Sequence, residues 1–316
     1  MTSYAQHYRS TLKLGVPLCI GQIGVILVGF ADTLMVGHYG TNDLASVSFV
    51  NNLFNLVIIG LLGFSYGITP IIGALFARQK YDEAGAAFRN ALIANALFGI
   101  LLTVVMGCAY FFIDRFGQPD ELLPIIRPYY LVILASIVFV ALFNAMRQFA
   151  DSLLRPSVGM WILISGNAVN IVFNYLLIYG KLGFPMLGVR GAAIATVLSR
   201  YVEFGLILLG THGKKTPPRF IRGLYRGFAI PGHLAGQIVR KGMPLLVNEM
   251  FWSLGMTMLT QCYSYRGLDA IAALNINSTV LNLFNTVIFT MGNTVGIIIG
   301  NLLGAEEYDR ARNYCP

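Results

Sequence analysis

Several long runs of the chain contain no charged residue, and they constrain the fold more than any other feature of the sequence. Residues 90–113, 128–146 and 270–305 are three of these runs. About 20 apolar residues are enough to cross the roughly 30 Å of hydrocarbon in a bilayer. Charged residues make up only 11% of the chain, against about 25% in soluble domains. The sequence therefore predicts an all-α integral membrane protein.

Hydropathy along the chain predicts eight membrane-spanning helices. Their predicted bounds are 12–37, 46–76, 90–113, 125–147, 157–180, 191–211, 242–264 and 271–303. With the N-terminus inside, most of the 22 Lys and Arg residues fall in cytoplasmic segments, including Arg147 at the end of the fourth span. The positive-inside rule then predicts that both termini are cytoplasmic. The net charge of +8 is interpreted as this topology signal, and no nucleic-acid partner is expected.

The chain contains an internal repeat, in which residues 241–311 resemble residues 14–84. LGVPL aligns with KGMPL, and IIGALFARQKYDEA aligns with IIGNLLGAEEYDRA. An even number of predicted spans separates the two copies, so both copies point the same way across the membrane. Parallel repeats of this kind hold their substrate between two halves.

The repeat divides the chain into three predicted regions. We expect an N-terminal six-helix lobe at 1–211, a basic, Pro- and Gly-rich cytoplasmic linker at 212–240, and two helices of a C-terminal lobe at 241–316. The first copy is followed by four further spans, whereas the second copy is followed by none. The expectation is therefore a truncated second lobe in a fold of two parallel six-helix bundles, with eight helices present as six plus two.

Four ionisable residues lie inside the predicted spans, where charge is costly and indicates function by default. Asp32 in span 1 is expected to take up a proton or to bind Na⁺ or a cationic substrate. The alternative is an aspartate at the interface, wetted by external water. Pro17 precedes it on the same helix and removes a backbone hydrogen bond, which allows a bend.

The other three ionisable residues lie in spans 6 and 7. Glu249 aligns with Gln22 in the repeat, and the two are expected to form a substrate site or second cation site between the halves. A snorkelling or hydrogen-bonded glutamate is the alternative. Arg200 and Glu203 are three residues apart on one helix face, so we expect a structural ion pair.

Three asparagines follow one face of span 5, at positions 167, 170 and 174. Their amide oxygens are candidates for coordinating a cation, and Thr196 in span 6 is a further candidate. Hydrogen bonding between helices is the alternative for all of them.

Catalysis has little support in the sequence. HExxH and Walker A patterns are absent from the printed chain, and its four histidines all lie outside the predicted spans. Without a nucleotide site, transport would draw on an ion gradient or be passive. The sequence therefore predicts a transporter rather than an enzyme, with no cofactor and no bound metal other than possible Na⁺ at Asp32.

Three stretches of the sequence resemble the multidrug and toxic compound extrusion (MATE) transporters. They are PLCIGQIGVILVGFADTLMVGHYGTNDLASVSF, NAVNIVFNYLLIYGKLGFPMLGVRGAAIATVLSR and MPLLVNEMFWSLG, and they occur in the order expected for that family. The resemblance runs from about residue 12 to residue 309. It implies a secondary antiporter in the plasma (inner) membrane that exports small organic cations in exchange for H⁺ or Na⁺, and a monomer is expected.

The resemblance also implies roles for individual residues. Asp32 matches the acidic residue of the first span that is implicated in cation binding, and Pro17 matches the proline where that helix bends. Asn170, Asn174 and Thr196 match positions around the cation, although many members have aspartate where this chain has Asn174. Glu249 resembles the glutamate of the family's seventh span.

Two alternatives to an antiporter remain from the sequence. A related flippase for lipid-linked oligosaccharides would need a strongly cationic cavity, whereas Arg200 is the only cation predicted inside a span and has Glu203 beside it. The second alternative is a membrane fragment that does not transport.

Overall fold

The computed structural model describes residues 2–212, 232–264 and 268–312, and these residues are almost entirely helical. The predicted all-α class is therefore confirmed for the described part of the chain. Two short 3₁₀ turns, Ile113–Phe116 and Asp120–Leu122, connect the fourth and fifth helices. The helices are α1 Thr2–Tyr39, α2 Thr41–Tyr66, α3 Ile68–Ala77, α4 Tyr81–Tyr110, α5 Leu123–Leu134, α6 Ile137–Ser152, α7 Pro156–Tyr179, α8 Val189–His212, α9 Gly232–Ser264, α10 Leu268–Gly304 and α11 Tyr308–Arg312.

Length and hydropathy qualify six helical segments as membrane spans within the described residues. A pair of helices, Asp120–Leu134 and Ile137–Ser152, bent by 41°, adds a seventh when it is counted as one span. Helix α9, which contains the predicted seventh span, is not among them, and it carries the polar residues Asn248 and Glu249 near its middle. The count of eight spans and the cytoplasmic termini stay predictions. The six segments are His7–Tyr39, Thr41–Ala77, Tyr81–Tyr110, Pro156–Tyr179, Val189–Thr211 and Phe284–Gly304.

The fourth predicted span differs from the structure at both its middle and its end. The helix breaks between α5 and α6, where Ser136 donates a hydrogen bond to the carbonyl of Ile133 at 2.7 Å. Helix α6 then continues past Arg147 to Ser152. Arg147 is only 8% exposed, and its assignment to the cytoplasmic side stays a prediction. The basic residue that ends the apolar run lies inside the protein.

The predicted linker at 212–240 is described only in part. Residues 213–231 lie outside the described residues. Residues 232–240 form the first turns of α9, so the helix of the second copy begins earlier than the linker prediction allowed.

The lobe formed by α1–α8, which we call the N-terminal lobe, is held together by two buried apolar clusters. In one cluster Phe54 contacts Tyr130 edge-on at 4.8 Å between ring centroids. In the other, Phe88 stacks on Phe149 at 3.9 Å. Burying a large apolar side chain contributes about 1.5–3 kcal/mol, so these rings fix the positions of α2, α4, α5 and α6 around the polar cavity described below.

The internal repeat has counterparts in the structure. Gln79 and Glu306 occupy equivalent repeat positions, and both adopt left-handed backbone angles, with φ of 58° and 64°. Gly15 and Gly242 are also equivalent. A Cβ on Gly15 would lie 2.6 Å from Met291, and one on Gly242 would lie 2.9 Å from Phe64, the position equivalent to Met291. The two copies therefore make matching contacts with each other.

These contacts join α9 to α2 and α10 to α1 and α3. A Cβ on Gly67 would lie 2.8 Å from the backbone of Gly242, so the two segments approach each other at backbone distance. Nearby, the Arg78 guanidinium donates to the carbonyl of Gly304 at 2.9 Å. The helices α9–α11, which we call the C-terminal segment, thus contact the N-terminal lobe at the end that the sequence predicts to be cytoplasmic.

Candidate functional site

A polar cavity of about 310 Å³ lies inside the N-terminal lobe, between α1, α2, α6, α7 and α8. We call it the lobe cavity. The spacing of its residues on α8 follows one helix face, since Thr196, Arg200 and Glu203 are separated by four and three positions. Most of its polar lining comes from spans 1, 4, 5 and 6. The polar residues of its lining are Gln22, Asp32, Asn144, Arg147, Asn167, Asn170, Thr196, Ser199, Arg200 and Glu203.

The predicted cation residues meet at one end of the lobe cavity. The Asn174 amide donates a hydrogen bond to the Asp32 carboxylate and another, at 2.9 Å, to Asn170 Oδ1. Asn170 in turn donates to the Thr196 hydroxyl at 3.4 Å. Helices α1, α7 and α8 therefore bring Asp32, Asn170, Asn174 and Thr196 into one hydrogen-bonded chain. Their role in cation binding stays a prediction.

The carbonyl oxygen of Asn174 has no hydrogen-bond partner among the described residues, although the side chain is fully buried. An unsatisfied buried acceptor costs free energy of about 1–3 kcal/mol. Beside the Asp32 carboxylate, this oxygen is available to a proton donor or to a cation that prefers oxygen ligands.

Arg200 and Glu203 do not form the predicted ion pair within 4.0 Å. The guanidinium of Arg200 instead donates to the Ser136 hydroxyl at the break between α5 and α6. The Glu203 carboxylate lies against Gly166 of α7, where an added Cβ would be 2.3 Å from Oε1. The expected ion pair is not formed because Gly166 has no side chain. Glu203 therefore packs against the backbone of α7 and lines the lobe cavity, and does not form an ion pair with Arg200.

Sequence reasoning missed a second pair of charges on α6. Arg147 Nε lies 3.9 Å from Asp151 Oδ2, and both residues are buried, at 8% and 2% exposed. Neither Arg147 Nε nor Asp151 Oδ1 has a hydrogen-bond partner among the described residues. Two features of the sequence could have indicated this pair. The spacing of four residues places Arg147 and Asp151 on one helix face, and the absence of a turn signal before Pro156 allows the helix to continue past Arg147. The sequence indicated Arg200 as the only cation inside the lobe. The structure shows that Arg147 is buried there as well.

Arg147 lies at a boundary between two cavities. Besides lining the lobe cavity, it lines a cavity of about 230 Å³ that reaches Asp151 and Tyr66 on one side and Thr290 and Asn293 of α10 on the other. We call this second space the interface cavity. Four residues, Gln22, Val25, Leu62 and Arg147, line both spaces.

Glu249 faces a third and larger cavity of about 610 Å³, between α2, α3, α9 and α10. Aromatic side chains contribute to its wall, namely Tyr66, Trp252 and Phe289. Tyr66 and Phe289 also line the interface cavity. Gln22, which was predicted to act with Glu249, lines the lobe and interface cavities instead, so the structure does not place the two residues in one cavity.

Pro17 lies inside α1, which runs without interruption from Thr2 to Tyr39. The predicted bend at Pro17 therefore does not appear as a break in this helix. The next residue, Leu18, is buried and lines the interface cavity. Pro17 therefore lies on the part of α1 that borders this cavity.

A sequence model of the MatE family matches residues 17–176 and 244–316. The chain belongs to the MatE family. Its members are transporters rather than enzymes, and this protein is a multi-pass membrane transporter. The match covers nearly all of both copies of the internal repeat, with Asp32 and Glu249, and extends over Asn170 and Asn174.

Several relatives of the chain carry the name probable multidrug resistance protein NorM. That of Geobacillus kaustophilus is 27% identical over 98% of this chain and 68% of its own length. That of Halalkalibacterium halodurans is 33% identical, over 60% of this chain and 41% of its own length. This chain spans about two thirds of the length of the Geobacillus relative.

Solved structures of MATE transporters share the fold. An outward-facing MATE family multidrug resistance transporter superimposes with a TM-score of 0.87 at 23% identity, over 96% of this chain and 67% of its own. The Vibrio cholerae MATE transporter VcmN in its bent form gives a TM-score of 0.87 at 18% identity, over 99% and 70%. At these identities the likeness establishes the helical architecture alone.

Proposed function

We propose that the chain is a secondary antiporter of the plasma membrane that exports small organic cations in exchange for H⁺ or Na⁺. The coupling cation binds at Asp32, with oxygens from Asn170, Asn174 and Thr196 around it. The protein works as a monomer surrounded by lipid. The names of its relatives, probable multidrug resistance proteins, support this class of substrate.

The observation that carries the proposal is the unpartnered carbonyl oxygen of Asn174 beside Asp32. A carboxylate and a free amide oxygen in a buried space offer ligands for a cation and leave one of them unsatisfied when the cation is absent. Ionisable groups at such depth are retained for function because they are costly to keep in a membrane protein.

The organic cation binds in the aromatic-lined cavity beside Glu249. Its volume of about 610 Å³ falls within the roughly 300–1,000 Å³ of small-molecule sites. The faces of Tyr66, Trp252 and Phe289 attract a cation through their π-electrons, and Glu249 supplies the opposite charge. Asn248 and Asn293 line the same space and provide uncharged polar contacts.

Coupling requires that the small cation bind differently to two states of the protein, since a ligand of equal affinity for both shifts nothing. Pro17 removes one backbone hydrogen bond from α1, the helix that carries Asp32. Binding at Asp32 therefore favours a rearrangement of α1, and this rearrangement lowers the affinity for the organic cation on the outer side.

The test is ethidium efflux from liposomes that contain the purified chain, driven by an imposed H⁺ or Na⁺ gradient. Asp32→Asn is expected to abolish efflux, because the amide cannot neutralise a cation. Asp120→Asn removes an exposed carboxylate before α5 and is expected to leave efflux unchanged. Unchanged efflux in Asp32→Asn would exclude Asp32 from the mechanism, and no efflux from the unmodified chain would favour the non-transporting alternative.

A further inference from the structure

Acidic and basic side chains alternate along a line of five residues that runs from the lobe cavity to the interface cavity. The order is Asp32, Arg200, Glu203, Arg147 and Asp151. Arg200 interacts electrostatically with both Asp32 and Glu203. Arg147 interacts with both Glu203 and Asp151. Each arginine is thus shared by two carboxylates, and we call the five residues the charge line.

Arg147 lies at the middle of the charge line. Its Nε is 3.9 Å from Asp151 and has no hydrogen-bond partner among the described residues. The stem of its side chain runs over Gly159 of α7, where an added Cβ would lie 3.3 Å from Arg147 Cγ. A buried ion pair without full hydrogen bonding adds little to stability, so stability does not account for these charges.

Gly166 provides the corresponding space for Glu203, whose carboxylate lies over the bare backbone of α7. Asn144 Nδ2, which lines the same cavity, is also buried without a partner among the described residues. Unsatisfied donors and a carboxylate therefore face the same small space. Arg147 lines the lobe cavity together with Glu203 and the interface cavity together with Asp151.

We propose that Arg147 is a positioning residue that relays cation occupancy at Asp32 to the interface cavity by exchanging between Glu203 and Asp151. The proposal rests on the antiport function described above. When a cation neutralises Asp32, Glu203 is the only charged carboxylate of the charge line that still attracts Arg200 strongly. Arg147 is then released to Asp151, and the wall of the interface cavity becomes less negative.

The reverse follows when the cation leaves Asp32. Arg200 is drawn toward Asp32, Glu203 recruits Arg147, and the Asp151 carboxylate is left facing the interface cavity. Charges interact strongly at these separations because the interior has a low effective dielectric constant. An organic cation near Tyr66 and Phe289 therefore binds more tightly when Asp32 is empty, which is the antagonism that antiport requires.

Other charged or titratable groups face the charge line from the neighbouring helices. Tyr66 of α2 interacts with Arg147, Asp151 and Glu249 of α9. Tyr129 of α5 interacts with Asp32 and Arg200. Glu249 lies on the far side of Tyr66, so it attracts the organic cation whichever carboxylate Arg147 contacts. Any test must therefore measure the change that the coupling ion causes, not the affinity alone.

The experiment measures the Kd of tetraphenylphosphonium for the detergent-solubilised full chain, at low and high pH and with and without Na⁺. The antagonism is the ratio of the Kd values with the coupling ion plentiful and scarce. Couplings between sites typically span about 5- to 150-fold, and we expect the unmodified chain to fall in this range. Arg147→Met keeps the apolar stem and is expected to bring the ratio close to one. Arg147→Lys keeps a charge and is expected to restore part of it.

Arg127→Met serves as the matched control, because Arg127 pairs with Asp114 on the surface, away from the cavities, and the ratio is expected to stay that of the unmodified chain. Asp151→Asn tests the same relay if Arg147→Met does not fold, and it is also expected to reduce the ratio. An unchanged ratio in the folded variants would overturn the relay while leaving the antiporter intact. A ratio of one in the unmodified chain would overturn both.

Discussion

The two copies of the repeat share a backbone but not a distribution of charge. Asp32 in α1 aligns with Leu259 in α9, and Glu249 in α9 aligns with Gln22 in α1. The matching contacts of Gly15 and Gly242 show that the geometry is preserved. Each copy thus has one half-buried carboxylate inside a predicted span, at a different position along the helix from the other.

The different positions of the two carboxylates indicate that the repeat supplies a symmetric frame, while individual substitutions give each half its own chemistry. The carboxylate of the first copy lies within the lobe, among asparagines. The carboxylate of the second copy faces a cavity with aromatic walls. A small hard cation suits the first setting and an organic cation suits the second, so under the proposed function the asymmetry would give two distinct sites from one duplicated structure.

The largest effect is expected when the second copy is made to resemble the first by Glu249→Gln. Opposite charges about 4 Å apart attract by about 4 kcal/mol at an effective dielectric constant of about 20, and desolvation offsets part of this, so tetraphenylphosphonium should bind roughly 10- to 100-fold more weakly. Antagonism by the coupling ion should persist, because Asp32 is intact. Equilibrium binding measures both quantities. Glu121→Gln, at an exposed position, is the control, and an equal affinity in both variants would contradict the assignment of Glu249.

A smaller effect is expected where the copies differ in a backbone contact. Gly304 aligns with Ala77, and a Cβ on Gly304 would lie 2.4 Å from Cα of Ala74. Gly304→Ala should therefore force α10 away from α3 and cost about 1–3 kcal/mol. Thermal unfolding in detergent measures the loss as a lower midpoint. Gly292→Ala on the same helix has open space and should not lower the midpoint, so equal midpoints would refute the close contact.

The smallest effect is expected at the matched turns of the two copies. Gln79→Gly relieves a left-handed conformation that costs about 1–2 kcal/mol, against an entropy loss of about 0.5–1 kcal/mol for glycine. A slight rise of the unfolding midpoint should follow. Glu306→Gly should gain less, because it also removes an exposed pair with Arg78 at 3.6 Å. A larger gain at Glu306 than at Gln79 would reverse the expected order.

The meeting of Asp32, Asn170 and Asn174 could be predicted because its signal is local. Asp32 is a carboxylate in an apolar run, and Asn170 and Asn174 share a helix face by spacing alone. Periodicity on α7 was enough to direct both asparagines toward the same neighbour. The structure adds which atoms meet, since the hydrogen bond from Asn174 to Asp32 joins residues far apart in the chain.

Arg147 and Asp151 were missed as a buried pair because the rule that locates span ends does not report burial within the protein. A basic residue after an apolar run normally marks the membrane surface, yet α6 continues beyond Arg147 to Ser152. The interface cavity beside Asp151 is formed in part by α10, more than a hundred residues later. Burial of this kind depends on long-range packing, which local hydropathy does not report. The same holds for Glu203, whose position depends on the missing side chain of Gly166.

The approach of Gly67 to Gly242 has a mechanical consequence. Neither glycine carries a side chain, so α9 meets the end of α2 at backbone distance, beside the Phe64 ring, and such a contact can act as a pivot between the two helices. The contact lies at one end of α2, whose 26 residues rise through roughly 39 Å at about 1.5 Å per residue. A rotation of about 10° at this fulcrum would displace the far end of such a lever by roughly 7 Å, about the width of an aromatic ring.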